Sequence, residues 1–414
     1  MSVEDEAPPD DLSFIGFNQD ATSLAVGGIF GYRLYSTKRI EKFDVVYENY
    51  TNISLEKTRN IVHLVFAELF SIIHIERLFS SSLLMIVSTQ APRKLRIYHF
   101  QKNNEICAQS YTNTVLAVKV NRDVRFKYMV VCLENIIYIH TVKDMKVSFL
   151  VSSFSRFDRV CNKFFIICIK LACVSSFAKA DVFPVIHTIR DTPLNASGVI
   201  DLSSTVNSYL AYPGSVSSGH VQLFDVSRLS SMSAIAAHTS PLGALRFSFD
   251  SKMLATASVR GTVIRVFSTE SGNRLYEFTR GIKRFVTIYS LAFSMDGDYL
   301  CSSSNTETVH VFKLEKAVDA QNPNEGEEGW VDYLSKQASS YLPTHMNDFL
   351  MRGKSFVIAK LPAVGKRNAT ALPVINGKLH LLVATTDGIA YVYEVEPEVA
   401  ELTLLRQHKI NFKV

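Results

Sequence analysis

A short strand ending recurs seven times along this chain of 414 residues. Three of the intervals between copies are about 42 to 45 residues, which is the length of a four-stranded propeller blade. Such endings also recur by chance in β proteins, but seven copies favour an all-β chain that forms a seven-bladed β-propeller with long loop insertions, because a closed ring leaves only short strand edges. The copies are Tyr32–Tyr35, Leu95–Tyr98, Ile137–His140, Val221–Phe224, Ile264–Phe267, Val309–Phe312 and Ala390–Tyr393.

The propeller is predicted to occupy residues 12–397. A disordered N-terminus is expected at 1–11, and a C-terminal tail at 398–414 either adds a strand or lies on the surface. The seventh blade is expected from about Lys354 to Val395. The acidic, proline-containing first residues do not have the pattern of a signal peptide.

Two segments, at 56–73 and 148–186, interrupt the repeating pattern and are predicted to be atypical insertions. The longer one is rich in Phe, Ile and Cys and has few turn residues, so burying it would need a partner layer that a closed ring does not provide. Two explanations are open: the segments are non-native additions such as translated intervening sequence, or they are decorations that face a membrane or a partner.

Composition narrows the possible functions. The formal net charge of +5 fits an anionic partner weakly and is far from that of a nucleic-acid-binding tail, so no nucleic acid is expected as a partner. The six cysteines have no zinc spacing and are interpreted as reduced thiols of a cytoplasmic protein. We find no clustered carboxylate pair, metal-ligand set or Ser/His/Asp arrangement, so we predict neither an enzyme nor a cofactor.

The stretch from Ser258 to Phe312 contains two similar strand–turn–strand segments on either side of a tetrapeptide, Phe278–Gly281. Arg265 and His310 each lie between two aliphatic residues, so on a strand they face away from those neighbours. Serine and threonine hydroxyls are expected nearby. Guanidinium, imidazole and hydroxyl groups together suit a phosphate monoester, because they combine positive charge with directional donors.

The motifs of this region resemble those of the PROPPIN (WIPI) family over nearly the whole chain. The resemblance implies a seven-bladed propeller that binds phosphatidylinositol 3-phosphate and phosphatidylinositol 3,5-bisphosphate without catalysis. It also implies autophagy lipid-transfer and conjugation-scaffold proteins as partners, and a peripheral location on phagophore and endosomal membranes. The motifs are Leu210–Gly214, His238–Leu242, Ala255–Ser258, Gly261–Phe267, Phe278–Gly281 and Thr306–Phe312.

The resemblance also implies two lipid pockets. The first has Thr279 where the family has the first of two arginines, so we expect it to be weakened and the second to be intact. The alternative roles are turn capping for the hydroxyls, a structural role for His310 and solvated surface charge for the arginines. The first pocket would contain His238, Ser258, Thr262 and Arg265; the second would contain Arg280, Arg284, Thr287, Ser304, Thr308 and His310; the motif is Phe278, Thr279, Arg280 and Gly281.

A long loop at 320–353 is predicted in the sixth blade, with apolar residues that suit a membrane interface. The other possibility is a flexible loop whose apolar residues fold back on the blade. An exposed turn with Pro92 and Arg93 is a candidate partner site, and the alternative function is a protein-binding scaffold with little lipid affinity. The loop residues expected to contact membrane are Trp330, Tyr333, Leu334, Tyr341, Leu342, Phe349 and Leu350.

Overall fold

Seven β-sheets surround one axis in the computed structural model, and the first strand of each contacts the first strands of its two neighbours. These first strands line a central channel, and the later strands of each sheet lie progressively further out. The sheets therefore form the blades of a seven-bladed β-propeller. The structure describes residues 12–29, 31–50, 71–121, 127–142, 183–204, 208–280, 285–314, 352–353, 357–396, 399 and 401–412.

The first three blades consist of four antiparallel strands each. A short 3-10 helix, Phe100–Lys102, joins the last two strands of blade 2. The strands of blades 1 to 3 are β1 Phe14–Phe17, β2 Ser23–Gly28, β3 Gly31–Ser36 and β4 Asp44–Tyr50; β5 Ile72–Arg77, β6 Leu83–Ser88, β7 Lys94–His99 and β8 Asn104–Ser110; β9 Ala117–Val120, β10 Tyr128–Cys132, β11 Ile137–Thr141 and β12 Val185–Ile189.

Blades 4 to 7 repeat this arrangement, with two short additions. Blade 5 gains a fifth, parallel strand (β24), and in blade 7 a two-residue strand (β27) pairs with β28. The strands of blade 4 are β13 Asp201–Leu202, β14 Tyr209–Pro213, β15 Gly219–Asp225 and β16 Ser230–His238, and those of blade 5 are β17 Leu242–Phe247, β18 Met253–Ser258, β19 Val263–Ser268, β20 Arg274–Thr279 and β24 Arg352–Gly353. The strands of blade 6 are β21 Ile288–Phe293, β22 Tyr299–Ser304, β23 Thr308–Lys313 and β25 Val357–Lys360, and those of blade 7 are β26 Asn368–Ala371, β27 Val374–Ile375, β28 Lys378–Thr385, β29 Ile389–Glu394 and β30 Leu404–Lys409.

The fold prediction is confirmed. All seven copies of the recurring strand ending lie in the third strand of a blade, namely in β3, β7, β11, β15, β19, β23 and β29. This strand has neighbours on both sides within its sheet and packs against the next blade, so it keeps its aliphatic residues.

Seven hydrophobic clusters fill the spaces between adjacent blades. In the cluster between blades 5 and 6, the rings of Phe278 and Phe312 stack with their centroids 4.5 Å apart. Burying one such side chain contributes about 1.5–3 kcal/mol. Phe278 is 5% exposed, so its packing holds the end of β20, and with it Thr279 and Arg280, at the junction of the two blades.

The ring closes where blade 7 meets blade 1. Leu24 and Val26 of blade 1 share a buried cluster with Leu382 of blade 7. The Leu12 amide donates a hydrogen bond of 2.7 Å to the carbonyl oxygen of Thr386. Closure therefore depends on side-chain packing and on hydrogen bonds across the junction, which also include those of Arg33 with the Asn411 carbonyl and of His408 with the Ile40 carbonyl. Within the described residues, no sheet contains strands from both blades.

Two boundaries predicted from the sequence differ at the insertions. Residues 185–186, predicted to end an insertion, begin β12, which pairs with β11 as the fourth strand of blade 3. Residues 72–73 begin β5. The sequence pattern missed both strands because each begins directly after an interruption of the repeat; the remainder of each predicted insertion lies outside the described residues, apart from positions 71 and 183–184.

Two further boundaries differ near the C-terminus. Residues 357–360 pair with β23 and complete blade 6, whereas the prediction placed them in blade 7. Residues 404–409 pair with β29 as the fourth strand of blade 7, so the tail adds a strand, which was one of the two predicted possibilities, and the propeller extends beyond residue 397. Each blade needs a fourth strand to cover its third, and in both cases that strand follows a connection of unpredictable length.

Candidate functional site

A pocket of about 450 Å³ lies between blades 5 and 6, on the face where the second and fourth strands of the blades end. Its walls come from the end of β20, the start of β23, the turns before β19 and β23, and the connections that lead to β21 and β26. Antiparallel pairing brings these segments to one face. The lining residues are Gly261, Thr262, Arg280, Phe285, Val286, Asn305, Thr306, Glu307, Thr308, His310 and Val364.

Arg280 supplies the positive charge of this pocket. Its backbone amide donates to the carbonyl oxygen of Thr262 at 3.0 Å, which extends the pairing of β20 with β19 by one residue. Its guanidinium Nη2 donates to Thr306 Oγ1 at 2.5 Å and to the Thr308 carbonyl oxygen at 2.9 Å. The first bond fixes the backbone of Arg280, and the two guanidinium bonds fix the direction of its side chain.

Arg280 is half-buried, and its guanidinium has no salt-bridge partner among the described residues. Partial burial lowers its pKa to about 10, and no charge of the described residues contributes to that shift. Its Nε atom is buried and has no hydrogen-bond partner in the described part of the chain. The group stays charged at neutral pH, and a buried charge without a partner is costly. An anion in the pocket would remove that cost.

Hydroxyl groups and an imidazole surround the guanidinium. Ser304 Oγ lies 3.0 Å from Thr306 Oγ1, and Thr308 Oγ1 lies 3.2 Å from His310 Nε2. His310 is 8% exposed, and its Nδ1 has no hydrogen-bond partner in the described structure. Burial, and then the charge of Arg280, lower the pKa of His310 to about 4, so its ring is neutral at pH 7.

The corresponding position of blade 5 has a different electrostatic state. Arg265 is the third residue of β19, as His310 is of β23. Its Nε lies 2.8 Å from a carboxylate oxygen of Glu277, and its Nη1 donates to the Ala237 carbonyl oxygen at 2.5 Å. Arg274 Nη1 also lies 2.8 Å from the same Glu277 oxygen. Arg265 is therefore already paired with a carboxylate of its own blade, which it shares with Arg274.

His238 and Thr279 complete the surroundings of Arg265. His238 Nε2 lies 2.9 Å from Thr256 Oγ1, and burial, followed by the charge of Arg265, lowers the pKa of His238 to about 4. Thr279 is half-buried at the end of β20 and adds no charge. The weakening of the first pocket stays a prediction, and the pair with Glu277 gives it a second physical reason.

Some predicted site residues lie elsewhere than expected. Thr262, predicted for the first pocket, lines the pocket of Arg280. Thr287, predicted for the second pocket, instead lines a cavity of about 630 Å³ together with Ser258 and three cations, Lys119, Arg246 and Arg367. Thr287 directly precedes β21, an inner strand, so its side chain lies on the channel side of the pocket wall.

Several predictions cannot be placed on the structure. Arg284 and Gly281 lie outside the described residues, as do Trp330, Tyr333, Leu334, Tyr341, Leu342, Phe349 and Leu350. The predicted partner turn is described: Pro92 is half-buried and Arg93 is exposed between β6 and β7. Their carbonyl oxygens accept hydrogen bonds of 2.8 Å from Val115 and Tyr111, respectively, which fixes the turn.

Sequence reasoning did not assign several residues of this region to the site, namely Phe285, Val286, Asn305, Thr306, Glu307 and Val364. Thr306 orients Arg280, and its place two residues before Thr308 was a usable signal, since residues two apart share a strand face. Phe285 and Val364 line the pocket from connections between blades, where no periodic pattern marks them.

The described residues also limit other chemistries. They contain no cluster of three or more His, Cys, Asp or Glu side chains that could hold a metal ion. Among them, the structure contains no helix with the length and apolar composition that a membrane crossing requires.

The fold and the site define a seven-bladed β-propeller with a hydroxyl-lined pocket at the junction of two blades, in which Arg280 lies at the end of β20 and the exposed Glu307 lines the turn before β23. The sequence model of a family described as PROPPIN matches residues 11–161 and 152–411. The chain belongs to this family.

Relatives with curated names cover almost the entire chain. WD repeat domain phosphoinositide-interacting protein 2 of Mus musculus is 42% identical over 415 residues, which is 99% of this chain and 80% of the relative. Autophagy-related protein 18 of Caenorhabditis elegans is 40% identical over 416 residues, covering 99% of this chain and 88% of that protein.

Solved structures share the fold. Kluyveromyces lactis Hsv2 superposes with a TM-score of 0.62 at 18% identity, over 97% of this chain and 99% of that one. KlAtg21, solved in a complex with the coiled coil of AgAtg16, superposes with a TM-score of 0.66 at 21% identity, over 97% of this chain and all of that one. At these identities the likeness establishes the architecture alone.

Proposed function

We propose that this protein binds phosphatidylinositol 3-phosphate and phosphatidylinositol 3,5-bisphosphate on membranes and recruits autophagy machinery during autophagosome formation. The names of its relatives, phosphoinositide-interacting protein 2 and autophagy-related protein 18, support this class of function. The observation that carries the proposal is the half-buried guanidinium of Arg280, whose buried Nε has no hydrogen-bond partner and which has no salt-bridge partner among the described residues.

The pocket would hold the phosphate of a lipid headgroup without making or breaking a covalent bond. Arg280 would supply the charge, and the hydroxyls of Thr306 and Thr308 would rotate to donate to phosphate oxygens. His310 would donate from Nδ1, which has no partner within the described residues. A hydrogen bond to a charged group contributes about 1.5–3 kcal/mol, so each such donor accounts for about tenfold or more in affinity.

The proposed location follows from this chemistry. A protein that holds a lipid headgroup at one face of a folded ring is peripheral, and we assign it to the cytoplasmic side of phagophore and endosomal membranes. The proposed protein partners are autophagy lipid-transfer and conjugation-scaffold proteins, with the turn at Pro92 and Arg93 as one candidate contact. The proposed activity is binding rather than catalysis.

Vesicle flotation tests the lipid proposal. Vesicles with and without phosphatidylinositol 3-phosphate are compared for the unaltered protein, for Arg280→Ala and for Arg228→Ala, a control in which an exposed arginine of blade 4 is removed. We expect Arg280→Ala to lower binding by about tenfold or more and Arg228→Ala to leave it unchanged. Equal binding by all three proteins, or no dependence on the 3-phosphate, contradicts the proposal.

The second candidate is a protein-binding scaffold with little lipid affinity. The exposed, backbone-fixed turn at Arg93 favours it. Under this alternative, Arg93→Glu abolishes association with an autophagy conjugation scaffold, and vesicle binding is weak from the start. Strong flotation that Arg280→Ala removes separates the two functions.

A further inference from the structure

Three large apolar side chains are exposed beside the pocket of Arg280. Phe285 is 75% exposed, Val364 is 61% exposed and Val259 is 55% exposed. Phe285 and Val364 line the pocket itself, and Val259 is on the adjoining turn between β18 and β19. Single exposed apolar residues are ordinary on protein surfaces, but a group of them around a cationic pocket is not.

These residues share one face because of where they lie in the blades. Phe285 precedes β21 and Val364 precedes β26, and both segments start the innermost strand of a blade. Val259 follows the second strand of blade 5. In an antiparallel blade, the starts of the first and third strands and the ends of the second and fourth lie on the same side. We call Phe285, Val364 and Val259 the apolar lip.

The backbone beside Phe285 is held in place. Val286 is buried, and its amide donates to the carbonyl oxygen of Arg260 at 3.1 Å. A Cβ atom at Gly261 would lie 2.0 Å from the Val286 carbonyl oxygen, so this close approach requires glycine. Because Val286 is directed inward, Phe285 next to it is directed outward. The exposure of Phe285 therefore follows from the fixed backbone conformation of this connection.

Arg260 adds a positive charge to the lip. Its guanidinium lies over the Phe285 ring, 5.7 Å from the ring centroid. An aromatic ring paired with a cation suits the boundary of an anionic bilayer, where the ring meets acyl chains and the cation meets headgroups. A water-soluble phosphate compound would gain nothing from the lip, so its chemistry selects a lipid surface.

We propose that the apolar lip enters the acyl-chain boundary of an anionic membrane when the adjacent pocket holds a headgroup phosphate, so that Phe285, Val364 and Val259 form a membrane contact separate from residues 320–353. The inference rests on the proposed lipid function, since the occupied pocket brings the lip to the bilayer. The apolar lip would add to the membrane affinity of the protein independently of headgroup recognition by the pocket.

Two binding measurements separate the lip from the pocket. The affinity for soluble inositol 1,3-bisphosphate is measured by calorimetry, and the affinity for vesicles with phosphatidylinositol 3-phosphate is measured by flotation. We expect Phe285→Ser to bind the soluble headgroup normally and vesicles about tenfold more weakly. Val45→Ser is the matched control, because Val45 is an exposed apolar residue of blade 1, and it should change neither affinity. Arg280→Ala should lower both.

The outcomes are distinguishable. If Arg280→Ala changes neither affinity, the lipid function itself is wrong. If Arg280→Ala lowers both but Phe285→Ser floats like the unaltered protein, the function stands and the lip proposal is overturned, which assigns the lip to a protein contact instead.

A fluorescence experiment checks insertion directly. Trp330 is the sole tryptophan of the chain, so Phe285→Trp in a Trp330→Phe background places one reporter at the lip. We expect a blue-shifted emission on vesicles with phosphatidylinositol 3-phosphate and quenching by brominated acyl chains. An emission that neither shifts nor is quenched on bound vesicles overturns the proposal.

Discussion

Arg265 and Glu277 are direct cross-strand neighbours in blade 5, and the Arg265 Nε atom lies 2.8 Å from the Glu277 carboxylate. The guanidinium of Arg280, three residues beyond Glu277 in the chain, has no such partner among the described residues. The arginine of one blade junction is therefore already paired with a carboxylate, and the arginine of the next is not.

Two substitutions would remove the carboxylate partner of Arg265 and add a second arginine to the same pocket. Glu277→Gln removes the carboxylate, and Thr279→Arg adds the second positive charge that the family resemblance leads us to expect at this position. We expect the double variant to bind two soluble inositol 1,3-bisphosphate molecules per chain instead of one, and to bind phosphatidylinositol 3-phosphate vesicles about tenfold more tightly or better. Calorimetric stoichiometry checks this. Glu48→Gln, which breaks the ion pair with Arg33 in blade 1, is the control.

Headgroup binding should strengthen as the pH falls below neutral. The pKa of His310 is about 4 in the free protein, and a phosphate beside its ring would raise it, so the ligand favours the protonated form. Affinity therefore increases as the pH falls from the pKa of the bound state toward 4. Calorimetry at several pH values down to about 5 detects the increase, once the loss of the second charge of the headgroup phosphate near pH 6 is subtracted by comparison with a variant that does not titrate.

The control for this pH effect is His310→Gln, which keeps a donor but does not titrate. Its affinity should follow only the ionisation of the phosphate itself. Identical pH profiles for the variant and the unaltered protein would show that His310 does not take up a proton on binding.

Gly261→Ala should disrupt the pocket. Gly261 has φ of +63°, and the added Cβ would meet the Val286 carbonyl oxygen at 2.0 Å, so both strain and collision result. We expect a loss of about 2 kcal/mol or more in unfolding free energy, together with weaker lipid binding. Urea unfolding and flotation measure the two effects.

Gly377→Ala isolates the conformational part of this effect. Gly377 has φ of +78°, but an added Cβ would have open space around it. It should lose only about 1 kcal/mol and keep full lipid binding. If the two variants are equally destabilised, the collision with Val286 is not important.

Acid should destabilise the fold through His74, a half-buried histidine of blade 2. Burial lowers the pKa of His74 from 6.5 to about 4, and its Nε2 lies 2.7 Å from the Leu116 carbonyl oxygen. As the pH falls, the His74 imidazole is therefore protonated in the unfolded chain before it is protonated in the folded protein. The stability that the neutral His74 contributes is fully present above about pH 6.5 and is lost as the pH falls toward 4. Between pH 7 and pH 5, the protonation of His74 in the unfolded chain lowers the free energy of unfolding by about 2 kcal/mol.

Urea unfolding at pH 7 and pH 5 measures this loss. His74→Gln should lose about 2 kcal/mol less than the unaltered protein between the two pH values, whatever its stability at pH 7. His220→Gln, which removes an exposed histidine of blade 4, should behave like the unaltered protein. Equal losses in all three proteins would exclude His74 as the cause.

The inner three strands of most blades were predictable from sequence, and the fourth strands often were not. The third strands keep aliphatic residues on both faces, so their copies stand out along the chain. Residues 185–189 and 357–360 supply the fourth strands of blades 3 and 6, but each follows a long segment that breaks the period. Local pattern cannot tell which strand such a segment rejoins.

The site was predictable in its residue types but not in its charge balance. Arg280 and His310 are both in the pocket, as the paired motifs indicated. The role of Glu277 depends on a register shift between β19 and β20, which brings Glu277 rather than Tyr276 opposite Arg265. A β-bulge of this kind moves every partner by one position, and nothing in the local sequence specifies it.

The position of the fourth strands has an evolutionary consequence. Residues 143–182 separate β11 from β12, and residues 315–356, which include β24, separate β23 from β25, so each segment lies in sequence between the third and fourth strands of a blade. Lengthening such a connection costs only slowly growing closure entropy and moves no residue near the axis. The gene can therefore acquire or shed coding sequence at these two places while the ring of inner strands stays the same.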